Sequence, residues 1–380
     1  MMKLFSNRDL NWLAVHTTLH DVALSISMVF SAVFLLRQGL STATIYLSIG
    51  LILGLRFLFR PVVLVSVTTI GLRRSLILGT FLYAVQSPFL ALIHGPSVEL
   101  LIYCVVAAIA QVFYWTCYHA MFASVGDLEN RGSQVGWRGL LVAIAGVVGP
   151  AMGGVILTMS GPWAAFGVAA VIELAAIIPL LKVTELPVAS VAPTGAYAAA
   201  RSGTLLFAVD GWQFNTSVWA WSIILFQALD QRYDTFGGWR SIAMLAAALG
   251  GFGFGRFIDK GHARSAIRVN AVMLAGIIFV RALCGPDPIV VIAVTIGTTM
   301  LSGLYMPSLM TAIYNNAKSS PCPFRFQMAA EAGWDIGGAL ACIIAAALCA
   351  YGASLHAVLL IALPMVVIQA YLLERIYATP

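Results

Sequence analysis

Charged residues are scarce in this sequence. Asp, Glu, Lys and Arg make up only 9% of the 380 residues, whereas 61% are hydrophobic. A soluble globular protein carries about 25% charged residues, so this chain has too few to cover a surface that faces water. The composition excludes a secreted disulfide scaffold, a nucleic-acid-binding domain and a disordered tail. It predicts a polytopic protein whose partner is the lipid bilayer.

Several catalytic and structural patterns are also missing. The six cysteines form no CxxC pair, which predicts buried thiols without a metal or disulfide role. The sequence contains no HExxH string and no serine nucleophile elbow, and the short loops leave no room for a catalytic domain outside the membrane. We therefore expect neither an enzyme nor a cofactor. The apolar runs do not alternate with a period of two, as a transmembrane β-barrel requires.

Long apolar runs, in contrast, are plentiful. A spanning helix needs about 20 mostly apolar residues, and turn residues such as Gly285-Pro286 separate the runs. The pattern predicts an all-α membrane protein with twelve transmembrane helices, numbered in chain order: 11–36, 41–66, 75–94, 98–123, 134–158, 162–182, 203–229, 238–258, 265–283, 287–314, 325–351 and 353–376.

The chain divides into two similar halves. Residues 183–202 are rich in Ala and Pro, and we interpret them as a cytoplasmic linker between six-helix bundles at 1–182 and 203–380. An offset of 191 residues relates the halves: it carries Thr68 to Asp259 in the cytoplasmic hairpins and Tyr114 to Tyr305 in helices 4 and 10. Such pseudo-symmetric duplication places a substrate site between the halves, near the middle of the bilayer.

The distribution of basic residues predicts the orientation. Sixteen of the 21 Lys and Arg residues lie on one side of the predicted helices, and only Arg37, Arg232 and Arg240 lie on the other. Lys and Arg collect in cytoplasmic loops, so we expect both termini in the cytoplasm and the protein in the plasma (bacterial inner) membrane. The net charge of +6 then reflects orientation and not affinity for nucleic acid.

Two kinds of motif stand out. Hairpins follow helices 2 and 8, and helix 5 carries a run of small residues; the motif residues are Gly71, Arg73 and Arg74 in the first hairpin, Gly255, Arg256, Asp259, Lys260 and Gly261 in the second, and Gly146, Gly149, Pro150, Gly153 and Gly154 in helix 5. The hairpins resemble the repeated loop motif of the major facilitator superfamily, roughly GxxxDRxGRR. The helix 5 string is similar to the GxxxGPxxGG motif of its antiporter and efflux branches.

This resemblance implies a secondary active transporter, expected as a monomer, that works by alternating access. It favours proton-coupled export of a small organic compound, with transport of a divalent transition metal or its chelate as the alternative. The sequence departs from the family at two positions: Thr68 replaces the usual Asp of the first hairpin, and helix 4 lacks the Arg of many proton-driven members.

Ionisable groups within spans are costly and are functional candidates. Because the resemblance implies that helices 1, 4, 7 and 10 line the cavity, the candidates for proton coupling and substrate binding are His16, His20, Asp21, Trp115, Tyr118, His119, Asp210, Gln213 and Tyr305. For His16, His20 and His119 three interpretations stay open. They are proton coupling by groups that titrate near neutral pH, metal coordination, and ordinary hydrogen-bonded packing.

A second set of charges predicts a gate. Arg56 and Arg60 are four residues apart in helix 2, as are Glu331 and Asp335 in helix 11, and each pair lies about 6–10 residues from the cytoplasmic end of its helix. The resemblance implies that these helices meet between the halves. Antiparallel travel matches Arg60 with Glu331 and Arg56 with Asp335, although static neutralisation of buried charge is an alternative. For Glu173, in helix 6, two interpretations stay open: a protonated packing residue and a proton site.

Overall fold

In a computed structural model, which describes residues 7–127, 131–258, 263–302 and 305–378, all regular secondary structure within those ranges is helical. We number the twelve helical units α1–α12. They are α1 (Arg8–Ser27, a 3-10 turn at Met28–Phe30, then Ser31–Arg37), α2 (Thr42–Ile70), α3 (Leu72–Ala91), α4 (Val98–Val125), α5 (Arg131–Met159), α6 (Gly161–Leu180), α7 (Arg201–Ala228), α8 (Tyr233–Ile258), α9 (Ala263–Ala282), α10 (Pro288–Ser302 and Tyr305–Ser319), α11 (Pro323–Ala350) and α12 (Leu355–Leu360 and Leu363–Ala378).

Each unit overlaps one predicted helix, so the predicted all-α polytopic fold is confirmed. Within the described ranges, seven units are long and apolar enough to cross a membrane: α1, α2, α4, α5, α6, α11 and α12. Other units carry more polar residues; α7, for example, contains Asp210, Gln213 and Asn215, all buried. Polar groups of this kind are tolerated in a membrane helix where they face other helices.

Helix α2 is four residues longer at its second end than the predicted span 41–66. The helix continues beyond residue 66 to Ile70 and ends at Gly71, whose φ of +98° lies in the region that favours glycine. Arg60 and Arg56 therefore lie 10 and 14 residues from that end, a rise of about 15 and 21 Å at 1.5 Å per residue. The two arginines lie in the central part of α2, away from its end at Ile70. We call the end of the bundle where α2 meets α3 the basic end.

At the opposite end, small residues bring the halves into contact. A Cβ added to Gly153 of α5 would lie 2.6 Å from the Ile26 carbonyl oxygen of α1, and one added to Gly154 would overlap the Tyr233 carbonyl of α8. The ring of Phe30 packs edge-on against Phe236 with 5.5 Å between centroids. The helix 5 motif thus packs α5 against its own half and the other half at once.

At the basic end, the linker contacts both halves. Arg73 of α3 donates from its backbone N–H to Glu185 Oε1 (2.8 Å) and from Nη1 to the Val183 carbonyl (2.9 Å). Arg325 of α11 is buried and donates from Nη2 to the carbonyls of Ala189 (2.8 Å) and Ser190 (2.9 Å). Residues 183–190 therefore form an ordered strap that is hydrogen-bonded to α3 on one side and α11 on the other.

The motif of the second hairpin is described only in part. Asp259, Lys260 and Gly261 lie outside the described residues, and for Gly255 and Arg256 only the helical backbone is described. In the first hairpin, Thr68 donates to the Leu64 carbonyl of its own helix (2.9 Å). The carboxylate beside Gly71 and Arg73 comes from Glu185 of the strap.

The strap generates a prediction about proteolysis. Trypsin recognises Lys182, which directly precedes the strap, and Arg201, the first residue of α7. Hydrogen bonds from a charged group contribute about 1.5–3 kcal/mol each, and 1.4 kcal/mol is a factor of ten. We expect Arg325→Gln to accelerate tryptic cleavage at these two sites at least about tenfold, as followed by gel electrophoresis and mass spectrometry. The matched control is Arg268→Gln, which removes an exposed arginine paired with Glu374. Equal cleavage rates in the two variants would contradict a strap held by Arg325.

Candidate functional site

Four charged side chains meet between α2 and α11, near the middle of the molecule. Arg56 Nη2 donates to Glu331 Oε2 (3.2 Å), and Arg56 Nε lies 2.9 Å from Asp335 Oδ1. Arg60 Nη2 donates to Asp335 Oδ2 and lies 4.0 Å from Glu331 Oε2. All four residues are buried. We call this set the central charge cluster; its formal charge is balanced, because it contains two guanidinium groups and two carboxylates.

The contacts within the cluster extend beyond the predicted pairing. Hydrogen bonds join Arg56 to Glu331 and Arg60 to Asp335, but the predicted partners are also in contact, with Arg56 2.9 Å from Asp335 and Arg60 4.0 Å from Glu331. An arginine side chain is long enough to reach across a full helical turn, so depth along the axis does not select one partner. Asp335 lies between both arginines, and it is fully buried with 0% exposure.

Helix α4 completes the surroundings of the cluster. Arg56 Nη1 donates to Gln111 Oε1 (3.4 Å), and Arg60 Nη1 donates to Thr116 Oγ1 (3.0 Å). His119 Nε2 lies 3.5 Å from Glu331 Oε1, and His119 Nδ1 is 2.6 Å from the Tyr314 hydroxyl of α10. His119 therefore reaches both α10 and α11 of the second half.

Asp210 is not part of this cluster. Its carboxylate accepts from Trp334 Nε1 (3.2 Å) and from Gln369 Nε2 (3.4 Å), so it lies among α7, α11 and α12 within the second half. Gln213, one turn further along α7, is also buried. Trp334 bridges the two sites, because its ring also packs against Arg56 with the guanidinium carbon 5.2 Å from the centroid. For Tyr305 only the helical backbone is described.

The histidines of α1 face into the first half, and the expectation that they line the cavity between the halves is wrong. His16 Nδ1 lies 2.8 Å from the Ala176 carbonyl, and His20 Nδ1 lies 2.7 Å from Glu173 Oε1; both partners belong to α6. The spacing of four residues correctly gave a shared face. It did not indicate which neighbouring helix that face contacts, because α1 touches α5 and α6 along much of its length.

Asp21 of α1 and Tyr118 of α4 both interact with Arg138 of α5. Arg138 Nε donates to the Tyr118 hydroxyl (2.6 Å), and its positive charge interacts with Asp21. A cavity of about 20 Å³, lined by Thr17, Tyr118 and Arg138 among others, opens beside them. That volume holds about one water molecule in this conformation. Arg138 is part of this site, although it was not among the candidate residues predicted from the sequence.

The three histidines do not form a metal site. His119 is bound to Tyr314 and Glu331, whereas His16 and His20 are bound to α6. The indole of Trp115 stacks on His119 (5.5 Å) and packs edge-on against His20 (5.6 Å). Within the ranges that the structure describes, no group of three His, Cys, Asp or Glu side chains is placed to hold a metal ion.

Comparisons with known proteins agree with this architecture. A family model described as Major Facilitator Superfamily matches residues 7–321. Among solved structures, the human organic anion transporter MFSD10 (TETRAN) is 14% identical with a TM-score of 0.69, covering 96% of this chain and 99% of that one. The nucleoside transporter NupG is 13% identical with a TM-score of 0.62, covering 98% and 99%.

A variant of the E. coli fucose:proton symporter FucP is 12% identical with a TM-score of 0.63, covering 97% of this chain and 98% of that one. No curated protein matches the sequence. The TM-scores establish a common fold. At identities this low, the substrates of these proteins cannot be assigned to this chain.

The central charge cluster generates a prediction about stability. Asp335→Ala leaves two buried guanidinium groups with a single carboxylate, and breaking a buried pair in this way costs about 3–5 kcal/mol. We expect a lower midpoint of thermal unfolding, measured in detergent by tryptophan fluorescence. The double variant Arg60→Ala/Asp335→Ala removes one charge of each sign and should recover a large part of the loss. Glu374→Ala, which removes an exposed carboxylate, serves as the control. A double variant less stable than Asp335→Ala would contradict compensation within the cluster.

Proposed function

The chain belongs to the major facilitator superfamily of membrane transporters, and from this premise we propose that it exports a small organic compound in exchange for protons by alternating access. The observation that carries this proposal is the central charge cluster. It is buried between two halves that must separate for a substrate to enter, so its ion pairs have to break and form again in each cycle.

Contacts between the halves at both ends support alternating access. At the basic end, His119 contacts Tyr314, and Lys318 of α10 donates to the Ser124 carbonyl of α4. At the other end, Phe30 packs on Phe236 and Gly154 on α8. Each set closes one route to the middle of the molecule. A transporter of this architecture opens one set while the other stays closed.

The direction of transport is inferred from the helix 5 motif and the orientation. The motif resembles that of the antiporter and efflux branches, and its glycines are in close contact with α1 and α8. The excess of Lys and Arg at the basic end favours a cytoplasmic location for that end in the plasma membrane. The metal alternative is not favoured, since the three histidines are bound to separate partners.

The role of the cluster in gating is part of this proposal. Arg56, Arg60, Glu331 and Asp335 hold the halves together only while the cavity is closed at their level, because the four charges lose their partners when α2 and α11 separate. Water, substrate or protons then have to take the place of the missing partners.

Proton flux in reconstituted vesicles tests the function. Purified protein is placed in liposomes that contain a pH-sensitive dye, and organic cations, organic anions, nucleosides and sugars are added one class at a time. We expect one class to move protons in the direction opposite to its own movement, at a rate reduced at least about tenfold in Asp335→Asn. Glu374→Gln is the control and should transport at the normal rate.

Two results would contradict the proposal. A compound that crosses the membrane at a rate independent of an imposed proton gradient would exclude coupling. A compound that moves in the same direction as the protons would exclude antiport.

A further inference from the structure

We propose that the coupling proton is held by Glu173 together with His20, inside the first half and away from the central charge cluster. This inference rests on the proposed proton coupling and assigns it a site. Glu173 Oε1 lies 2.7 Å from His20 Nδ1, and the side chains are only 2% and 0% exposed. Burying an ionisable pair so completely in a membrane helix bundle costs free energy. Such a pair is therefore a candidate functional site.

The pair has remaining capacity for hydrogen bonding. Glu173 Oε2 and His20 Nε2 make no hydrogen bond within the described part of the chain, and the same holds for the nearby His16 Nε2 and Tyr114 hydroxyl. These four atoms come from α1, α4 and α6. Each of the two side chains has one polar atom in a hydrogen bond and one without a partner. Such a pair is suited to gaining and losing a proton, because neither the protonated nor the deprotonated form has all its hydrogen bonds satisfied.

The surrounding charges favour exchange of a single proton. With one proton, the pair is neutral overall whether that proton resides on the carboxyl or makes the imidazole cationic; without it, the pair carries one negative charge. The ionisable or charged groups that face the pair are His16 and Asp21 on α1, Tyr83 on α3, Tyr114 on α4 and Arg138 on α5. A second proton would make the pair cationic near Arg138, whose guanidinium group is already positively charged.

A continuous set of contacts connects the pair to the second half. The His20 ring stacks on Tyr114 with 3.7 Å between centroids, and Trp115 packs against both His20 and His119. His119 then contacts Glu331 in the central charge cluster. Loss of the proton changes the charge beneath these rings. The α4 side chains therefore provide a physical route from the proton site to the contact between the halves.

Spectroscopy of the intact protein in lipid vesicles tests this site without a known substrate. The probes are the C=O stretch of protonated carboxylic acids and the ¹⁵N resonances of His20, both followed as pH is changed. In the native protein we expect one carboxyl band to disappear at the pH where His20 also responds. In Glu173→Gln this band should be absent and the His20 response displaced by at least about one pH unit.

Two further variants test whether Glu173 or Asp21 binds the proton and exclude a folding defect. Glu173→Asp keeps a carboxyl group and should keep a titrating band, so a loss of folding in the Gln variant cannot imitate the result. Asp21→Asn removes the neighbouring carboxylate, and disappearance of the titrating band in that variant instead would assign the proton to Asp21 and overturn the inference. An unchanged His20 response in Glu173→Gln would overturn it equally.

Transport distinguishes a wrong site from a wrong function. For any compound that moves protons in the liposome assay, Glu173→Gln should lose gradient-driven transport at least about tenfold while it still exchanges the compound across the membrane. If the native protein shows coupling and Glu173→Gln keeps it, the site is wrong and the proposed function stands. If the native protein shows no coupling, the proposed function itself fails.

Discussion

Charge inside an apolar molecule must be paired, and much of this structure follows from that constraint. The central charge cluster brings two guanidinium groups of α2 against two carboxylates of α11. Removing either set from water alone would cost several kcal/mol per ion. The requirement for mutual neutralisation therefore holds α2 and α11 together at one depth. It also explains why α4 presents Gln111, Thr116 and His119 at that level, since the polar atoms left over need partners.

Contacts of different chemistry join the halves at different depths. Close packing of glycines and aromatic rings joins α1 and α5 to α8 far from the basic end. Ion pairs join them in the middle, and the strap joins them at the basic end through Arg73 and Arg325. Packing of small residues and rings can be undone by sliding and tilting of helices. Ion pairs require substitute partners before they separate, so the middle of the molecule is where substrate binding is best placed to control opening.

The fold was predictable from sequence because its signal is simple. Runs of about 20 apolar residues separated by turns mark helices regardless of their neighbours, and the four-residue spacings of Arg56 with Arg60 and of Glu331 with Asp335 mark shared faces. Contacts of individual side chains were less accessible. The direction of the His16 and His20 face depends on how α1 packs against α6, and the hydrogen bonds of Arg325 depend on where the strap passes. From the sequence, Glu173 is only an ionisable residue in α6. Its role could not be predicted because its partner, His20, is 153 residues away in the chain.

Separation of the two buried acidic sites has a physical consequence. The central charge cluster is balanced, so a proton added to Glu331 or Asp335 would leave an excess of positive charge between the halves. The pair of Glu173 and His20 is covered by the Tyr114 ring, and a change in its charge does not disturb that balance directly. Under the proposed alternating access, a substrate that enters between the halves has to satisfy Arg56, Arg60, Glu331 and Asp335. The proposed proton site lies elsewhere, at groups with which such a substrate does not compete. Because their sites are separate, the substrate and the proton can be bound in different states of the cycle. Coupling between them then requires only that the position of α4, which contacts both sites, depend on whether the proton is bound.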